Sequence, residues 1–261
     1  MAGMFDALEI NTSFYHPPRP QVTETWLKHV SGNRNFVFTA KLWRRFTHDR
    51  NIMWTRSDVT RFTDGMRPLV DAARLGALLV QFPWSFRFDA TNRSWLARVA
   101  DTFVDMPLVV EARHASWAED EAIDFLETRR LSLCNIDQPT SKTGLGKIPR
   151  LTGSLAYYRF HGRNREAWFD HKAGRNDRYD YLYSEDEMAS WVDDIKSAGE
   201  QADRVFVMNN NHYQGQAVVN ALQLRARMEQ ITPRAPETLL QAYPVLKSTA
   251  VSAPGQRFLD F

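Results

Sequence analysis

The sequence predicts an α/β fold in which parallel strands form a barrel with helices outside. Three observations lead there. Short, nearly continuous apolar runs recur along the chain, rich in β-branched and aromatic residues, the signature of strands covered on both faces. Amphipathic stretches separate most of these runs, and such alternation gives a parallel sheet. Most runs also end in polar residues spaced two apart, which puts both on one face. In an open sheet, strands far from the switch point share no ligand that would justify such groups. In a barrel all strand ends converge, and the polar groups can bond one another and a ligand, which offsets their desolvation.

Taken in order, the first strand is 7–14 (ALEINTSF), followed by a helix over Gln21–Val30 that Pro20 starts. The second strand, 35–42 (NFVFTAKL), precedes an amphipathic helix over Ser57–Arg74, which Pro68 is expected to bend. Strands follow at 75–82, 108–113 and 131–137, with helices over Asn92–Phe103 and Ser116–Arg129 between them. Ser116 with Glu119 three residues on has the spacing of a capping box, as has Ser184 with Glu187. A Thr/Ser/Gly/Pro-rich loop at 138–153 stands where a helix would. Strands at 155–161 and 204–210 flank a long loop, 162–183, and a helix over Ser184–Ala198; helices over Gln214–Glu229 and near Pro236–Leu246 end the pattern. The expected organisation is one barrel domain over 1–247 and a flexible Ser/Ala/Pro-rich tail over 248–261.

Composition allows this. A chain of 261 residues suits one α/β barrel, and 43% hydrophobic with 12% aromatic residues supplies a sizeable core. Thirty-three basic against 31 acidic residues leave a net charge of +2, which argues against an obligate nucleic-acid coat protein but permits a local basic patch. The single cysteine, Cys134, excludes an intramolecular disulfide and reads as a buried thiol. No apolar run approaches the ~18 residues of a membrane span, and the N-terminus lacks a signal-peptide pattern. A cytoplasmic protein without membrane contact is expected.

The segments EINTSFY, FTAKLWRRFTH, LLVQFPWSF, EARHASW, YYRFHG and VMNN resemble, in this order, the domain of unknown function 72 family, also called YecE-like. The resemblance runs from about residue 5 to 225 and implies a TIM-type (β/α) barrel. Members of that family usually begin with a further strand and helix. Seven strands are countable here, whereas a closed barrel of this type needs eight, so the first strand and helix are expected to be missing. The family brings no established activity.

Function is therefore read from the strand ends. Glu9, Glu111 and Asp137 are candidate general acids or bases, and His161, in RFHG, is a candidate proton carrier or metal ligand. Asn11, Lys41, Gln81, Arg113, Arg159, Asn209 and Asn211 are candidate substrate-binding residues, with the cations suited to phosphate or carboxylate. Glu111 and Arg113 would equally serve an internal ion-pair network with Lys41 and Arg159. The cofactor is unknown: a divalent metal fits the residue types, but no metal motif such as His-Glu-x-x-His occurs. Trp43, Trp84 and Trp117 are candidate pocket walls. Loop 162–183 interleaves Arg163, Arg165, Lys172, Arg175 and Arg178 with Trp168, Phe169, Tyr179 and Tyr181, a pattern that suits polyanions or nucleobases. The expected activity is hydrolysis or phosphodiester cleavage of a small polar, phosphate-bearing ligand. A nucleic-acid-binding module and a non-catalytic scaffold remain the alternatives.

Overall fold

A computed structural model describes residues 2–139, 143–148, 150–170 and 172–253, with the side chain of Arg175 left out. The tail beyond 253, and residues 140–142 and 149 of the 138–153 loop, lie outside the described residues. The seven expected strands are all present: β1 (Ala7–Ile10), β2 (Val37–Lys41), β3 (Leu75–Gln81), β4 (Leu108–Glu111), β5 (Ser132–Asp137), β6 (Leu155–Phe160) and β7 (Arg204–Asn209). Their order in the sheet is their order in the chain. The pairs from β1–β2 to β4–β5 are parallel, as helical connections require. This is the (β/α) class expected. No helix among the described residues is long and apolar enough to cross a membrane.

The chain forms two compact units. The first comprises Met1–Ile136, Thr140–Tyr157 and Ala202–Phe206; the second comprises Asp137–Pro139, Tyr158–Gln201 and Val207–Phe261. Strands β6 and β7 each contribute residues to both.

The first unit holds α1 (Pro20–His29), α2 (Arg56–Asp71), α3 (Ala90–Thr102) and α4 (Asp120–Thr128). Proline at its first position starts α1. Thr55 and Asp58 close a capping box on α2. Helices α1 and α2 meet at Gly65, where a Cβ would lie 2.2 Å from Pro18 O and where Thr23 Oγ1 donates to Gly65 O at 2.9 Å. In the core, Phe82, Phe86 and Trp117 are buried and stacked, with ring centroids 3.6 and 5.4 Å apart. Full burial of each such side chain contributes ~1.5–3 kcal/mol. Trp117 is thus a core residue and not a pocket wall; its Nε1 donates to Phe86 O. Cys134 is buried, as expected.

The second unit holds α5 (Arg165–Phe169) and α6 (Arg175–Arg178) inside the 162–183 loop, then α7 (Glu185–Gly199), α8 (Gln216–Glu229) and α9 (Glu237–Ala242). Its buried residues include Phe160, Tyr183, Trp191, Ile195, Val219 and Leu222.

Among the boundaries that differ from expectation, three have a local cause. Strand β1 stops at Ile10, where Ser13 Oγ donates to Lys41 O at 2.7 Å and lies 3.0 Å from Ile10 O, and the chain turns into a 3-10 helix over Thr12–Phe14. Ser116 caps nothing: its hydroxyl accepts from Phe88 N–H, and Glu119, extended at ψ 147°, breaks the expected helix before α4. The helix expected near Pro236–Leu246 ends at Ala242, and Pro244 opens a separate 3-10 turn.

Candidate functional site

In the first unit, four expected site residues form one hydrogen-bonded chain. Lys41 Nζ donates to Gln81 Oε1 at 2.9 Å, and Gln81 Nε2 donates to Glu111 Oε1 at 2.5 Å. Arg113 adds Nε and Nη2 to that same oxygen at 3.1 and 2.9 Å. The β3–β4 register sets Gln81 directly beside Glu111. Glu111 is fully buried while the Arg113 side chain keeps 20% of its surface, so the carboxylate is desolvated and its cation reaches water.

Glu9 has another partner. Tyr157 Oη donates to its Oε2 at 2.9 Å and lies 2.9 Å from Thr39 Oγ1. A tyrosine has one proton, so with the carboxylate ionised the threonine donates to the tyrosine oxygen. Asn11 lies at the end of β1, its carbonyl accepting from Phe14 N–H as the 3-10 turn begins.

His48 follows β2, with its ring nearly perpendicular to that of Phe14 at a centroid distance of 4.9 Å and Nδ1 2.9 Å from Thr47 Oγ1. Burial, then the charges of Arg44 and Arg113, with a smaller contribution from Lys41, hold its pKa down to about 4, against an opposing pull from Asp49. Trp43 is half-buried under Arg61, and Trp84 stands beside His114, whose Nδ1 accepts from Ser116 N–H.

In the second unit, Asp137 anchors a network. Arg163 Nε donates to its Oδ1 at 2.9 Å, Arg163 Nη2 to Oδ2, and Trp191 Nε1 to Oδ2 at 2.8 Å. Arg163 also reaches Glu187, which accepts from Tyr181 Oη at 2.6 Å. The hydrogen bond to Asp137 raises the Arg163 pKa further, and burial followed by Glu187 pushes Tyr181 up to about 12. Gly162, at φ +95°, is required here: a Cβ would lie 2.7 Å from Tyr181 Cβ.

Arg159 and His161 are both buried, with Arg159 Nη1 3.5 Å from His161 Nε2. Asn210 Nδ2 lies 3.0 Å from His161 Nδ1. Asn211 turns away, donating to Tyr181 O and Asn220 Oδ1, both at 2.8 Å. Among the described residues the buried Oδ1 atoms of Asn209 and Asn211 have no hydrogen-bond partner.

The first unit therefore gathers Lys41, Gln81, Glu111 and Arg113, with Glu9 held by Tyr157, whose hydroxyl Thr39 meets in turn. The second joins Arg159 to His161 and His161 to Asn210, while Asn211 turns away to Tyr181 and Asn220 and Asp137 is bound to Arg163. Sequence reasoning did not single out Tyr157 or Asn210. Tyr157 had a signal, because 157, 159 and 161 alternate onto one face of β6; Asn210 is hidden by the Asn209–Asn211 spacing, which suggests the binding face, whereas it is Asn210 that meets His161. Among the described residues no group of three or more His, Cys, Asp or Glu side chains is placed to hold a metal ion.

A family profile described as "Protein of unknown function DUF72" matches residues 1–241. The UPF0759 protein YunF of Bacillus subtilis (strain 168) is 26% identical, with 84% of this chain and 82% of that protein covered. A DUF72 family protein of Thermotoga maritima MSB8 superposes with a TM-score of 0.77 at 32% identity, covering 86% of this chain and 85% of its own. One from Enterococcus faecalis V583 gives 0.79 at 27% identity, covering 87% and 86%.

Proposed function

The chain belongs to the DUF72 family, and from its strand-end chemistry we propose that it is an enzyme that hydrolyses a phosphate-bearing ligand. The observation that carries this is the Lys41–Gln81–Glu111–Arg113 chain. Two cations flank one buried carboxylate, and a neutral amide fixes the spacing between them. Gln81 can bond in only one sense here, its oxygen to the ammonium and its nitrogen to the carboxylate. Lys41 and Arg113 would take the phosphoryl oxygens, and Arg113 suits a two-pronged grip. The low pKa of His48 supports the same reading, because nearby positive charge is part of its cause. Glu9, held by Tyr157, or Glu111 would carry the proton. Arg159 with His161 repeats the pairing of cation and proton carrier in the second unit.

The test is hydrolysis of p-nitrophenyl phosphate and bis(p-nitrophenyl) phosphate by the purified protein and by Glu9→Gln, Glu111→Gln and His161→Asn. One of the two esters is expected to be cleaved. Loss of a proton carrier should lower the rate by ~10²–10⁴-fold, with an unchanged circular dichroism spectrum. Cleavage of neither ester, or full activity in all three variants, rules the assignment out.

A further inference from the structure

Beyond that reaction, the first unit carries an open cleft of about 660 Å³ that the phosphate reading does not use. It lies at the other end of β4 from Glu111: Leu108, which opens that strand, lines the cleft, and Glu111 closes the strand. A cleft of roughly 300–1,000 Å³ is the size that takes a small ligand. Its apolar wall includes Pro107, Leu108, Leu131 and Leu155, and Val104, 73% exposed, stands at the rim. Among the described residues no aromatic ring lines it. No helix among them connects β5 to β6, and Ser154, in that connection, opens onto the cleft.

Apart from Asp101, the polar side chains of the cleft can donate. Arg129 is committed: it pairs with Asp101 at 2.9 Å and stands 5.6 Å over the Phe125 ring. Arg130 is exposed and has no ion pair among the described residues. Two guanidiniums against one carboxylate leave one positive charge. Ser132, buried in the wall, accepts from Leu155 N–H at 3.0 Å, which leaves its own proton to donate. A fitting ligand therefore has an apolar body and a single negative charge. A dianionic phosphate would leave one charge uncompensated, and a flat aromatic ring would find no ring to pack on. An aliphatic carboxylate meets both conditions. Its head suits the two-pronged grip of a guanidinium, and its methylenes leave water against the leucines. We propose that this cleft, between α3, α4 and the starts of β4, β5 and β6, binds an aliphatic monocarboxylate, with Arg130 at the head and Val104, Leu108, Leu131 and Leu155 along the chain.

The experiment is calorimetric titration of the full chain with hexanoate, octanoate and decanoate, and with octylammonium, each below the concentration at which it forms micelles. One saturable site is expected for the carboxylates, tightening roughly two- to fourfold per added methylene, with no binding of octylammonium. Arg130 follows α4 at φ +54°, in the left-handed region that glycine adopts without strain. Arg130→Gly should therefore melt no lower than the parent chain, yet bind octanoate at least about tenfold more weakly. Val104→Asp changes an exposed position, so it too should fold, and it should weaken octanoate at least about threefold. No binding of decanoate, an affinity that stays flat from hexanoate to decanoate, equal binding of octylammonium, or undiminished octanoate binding in either variant overturns the inference. Because the readout is binding at the other end of β4, that failure would leave the hydrolytic reading untouched.

Discussion

At the scale of single residues, His48 carries the clearest consequence. Its pKa of about 4 lies below the ordinary 6.5, chiefly through burial and then through Arg44 and Arg113. Between those two values the unfolded chain takes up a proton that the folded one refuses. This histidine therefore costs no stability above pH ~6.5, and folding weakens as pH falls toward 4. The full difference would correspond to a few kcal/mol, but the ring is partly exposed, and screening reduces it to ~1–2 kcal/mol. Urea midpoints measured from pH 7.5 to 4.5 should fall less steeply in His48→Gln than in the parent chain. Parallel curves would show that His48 is not held neutral by its surroundings.

At the scale of elements, the strands were legible because each is a short apolar run ending in polar residues, and β3 from Leu75 to Val80 is wholly buried. Helix starts were legible only where a cap had no rival. Ser184 and Glu187 form their capping box on α7, whereas Ser116 is taken by Phe88 N–H, a partner 28 residues away that local spacing cannot reveal. The two boxes differ in burden. Ser184 Oγ accepts from Glu187 N–H, but the Glu187 carboxylate meets Ser184 N–H, Tyr181 Oη and Arg163 together. Burial pushes that carboxyl up, yet these hydrogen bonds and the guanidinium outweigh it and hold it below the usual range. Ser184→Ala should cost ~1 kcal/mol. Glu187→Ala removes one member of the network that ties the base of the 162–183 loop and should cost about twice as much. Equal losses in chemical denaturation would mean that Glu187 acts as a helix cap alone.

At the scale of the whole molecule, the sequence made the strand order and the residue types at the strand ends readable, but not which side chains would meet. Gln81 touches Glu111 because of the β3–β4 register, and Glu9 touches Tyr157 across 148 positions of chain; neither follows from alternation. The division into two units was equally hidden, since β6 and β7 each read as one uninterrupted run. Net charge gives the last prediction its force. At +2, with basic and acidic residues nearly balanced, the chain has little general attraction for anions, so stabilisation by phosphate must come from a particular site. A ligand that binds only the folded state at about 100 times its Kd adds ~2.7 kcal/mol. For a chain of this size each kcal/mol moves Tm by ~2–4 °C, so phosphate should raise Tm by ~5–10 °C. Potassium chloride at equal ionic strength should not. In Lys41→Met, measured against its own baseline, most of the phosphate shift should vanish, because the ammonium that Gln81 orients is gone. An equal shift in chloride, or an undiminished one in Lys41→Met, would remove Lys41 from the anion site and with it the central support for phosphate-ester chemistry in the first unit.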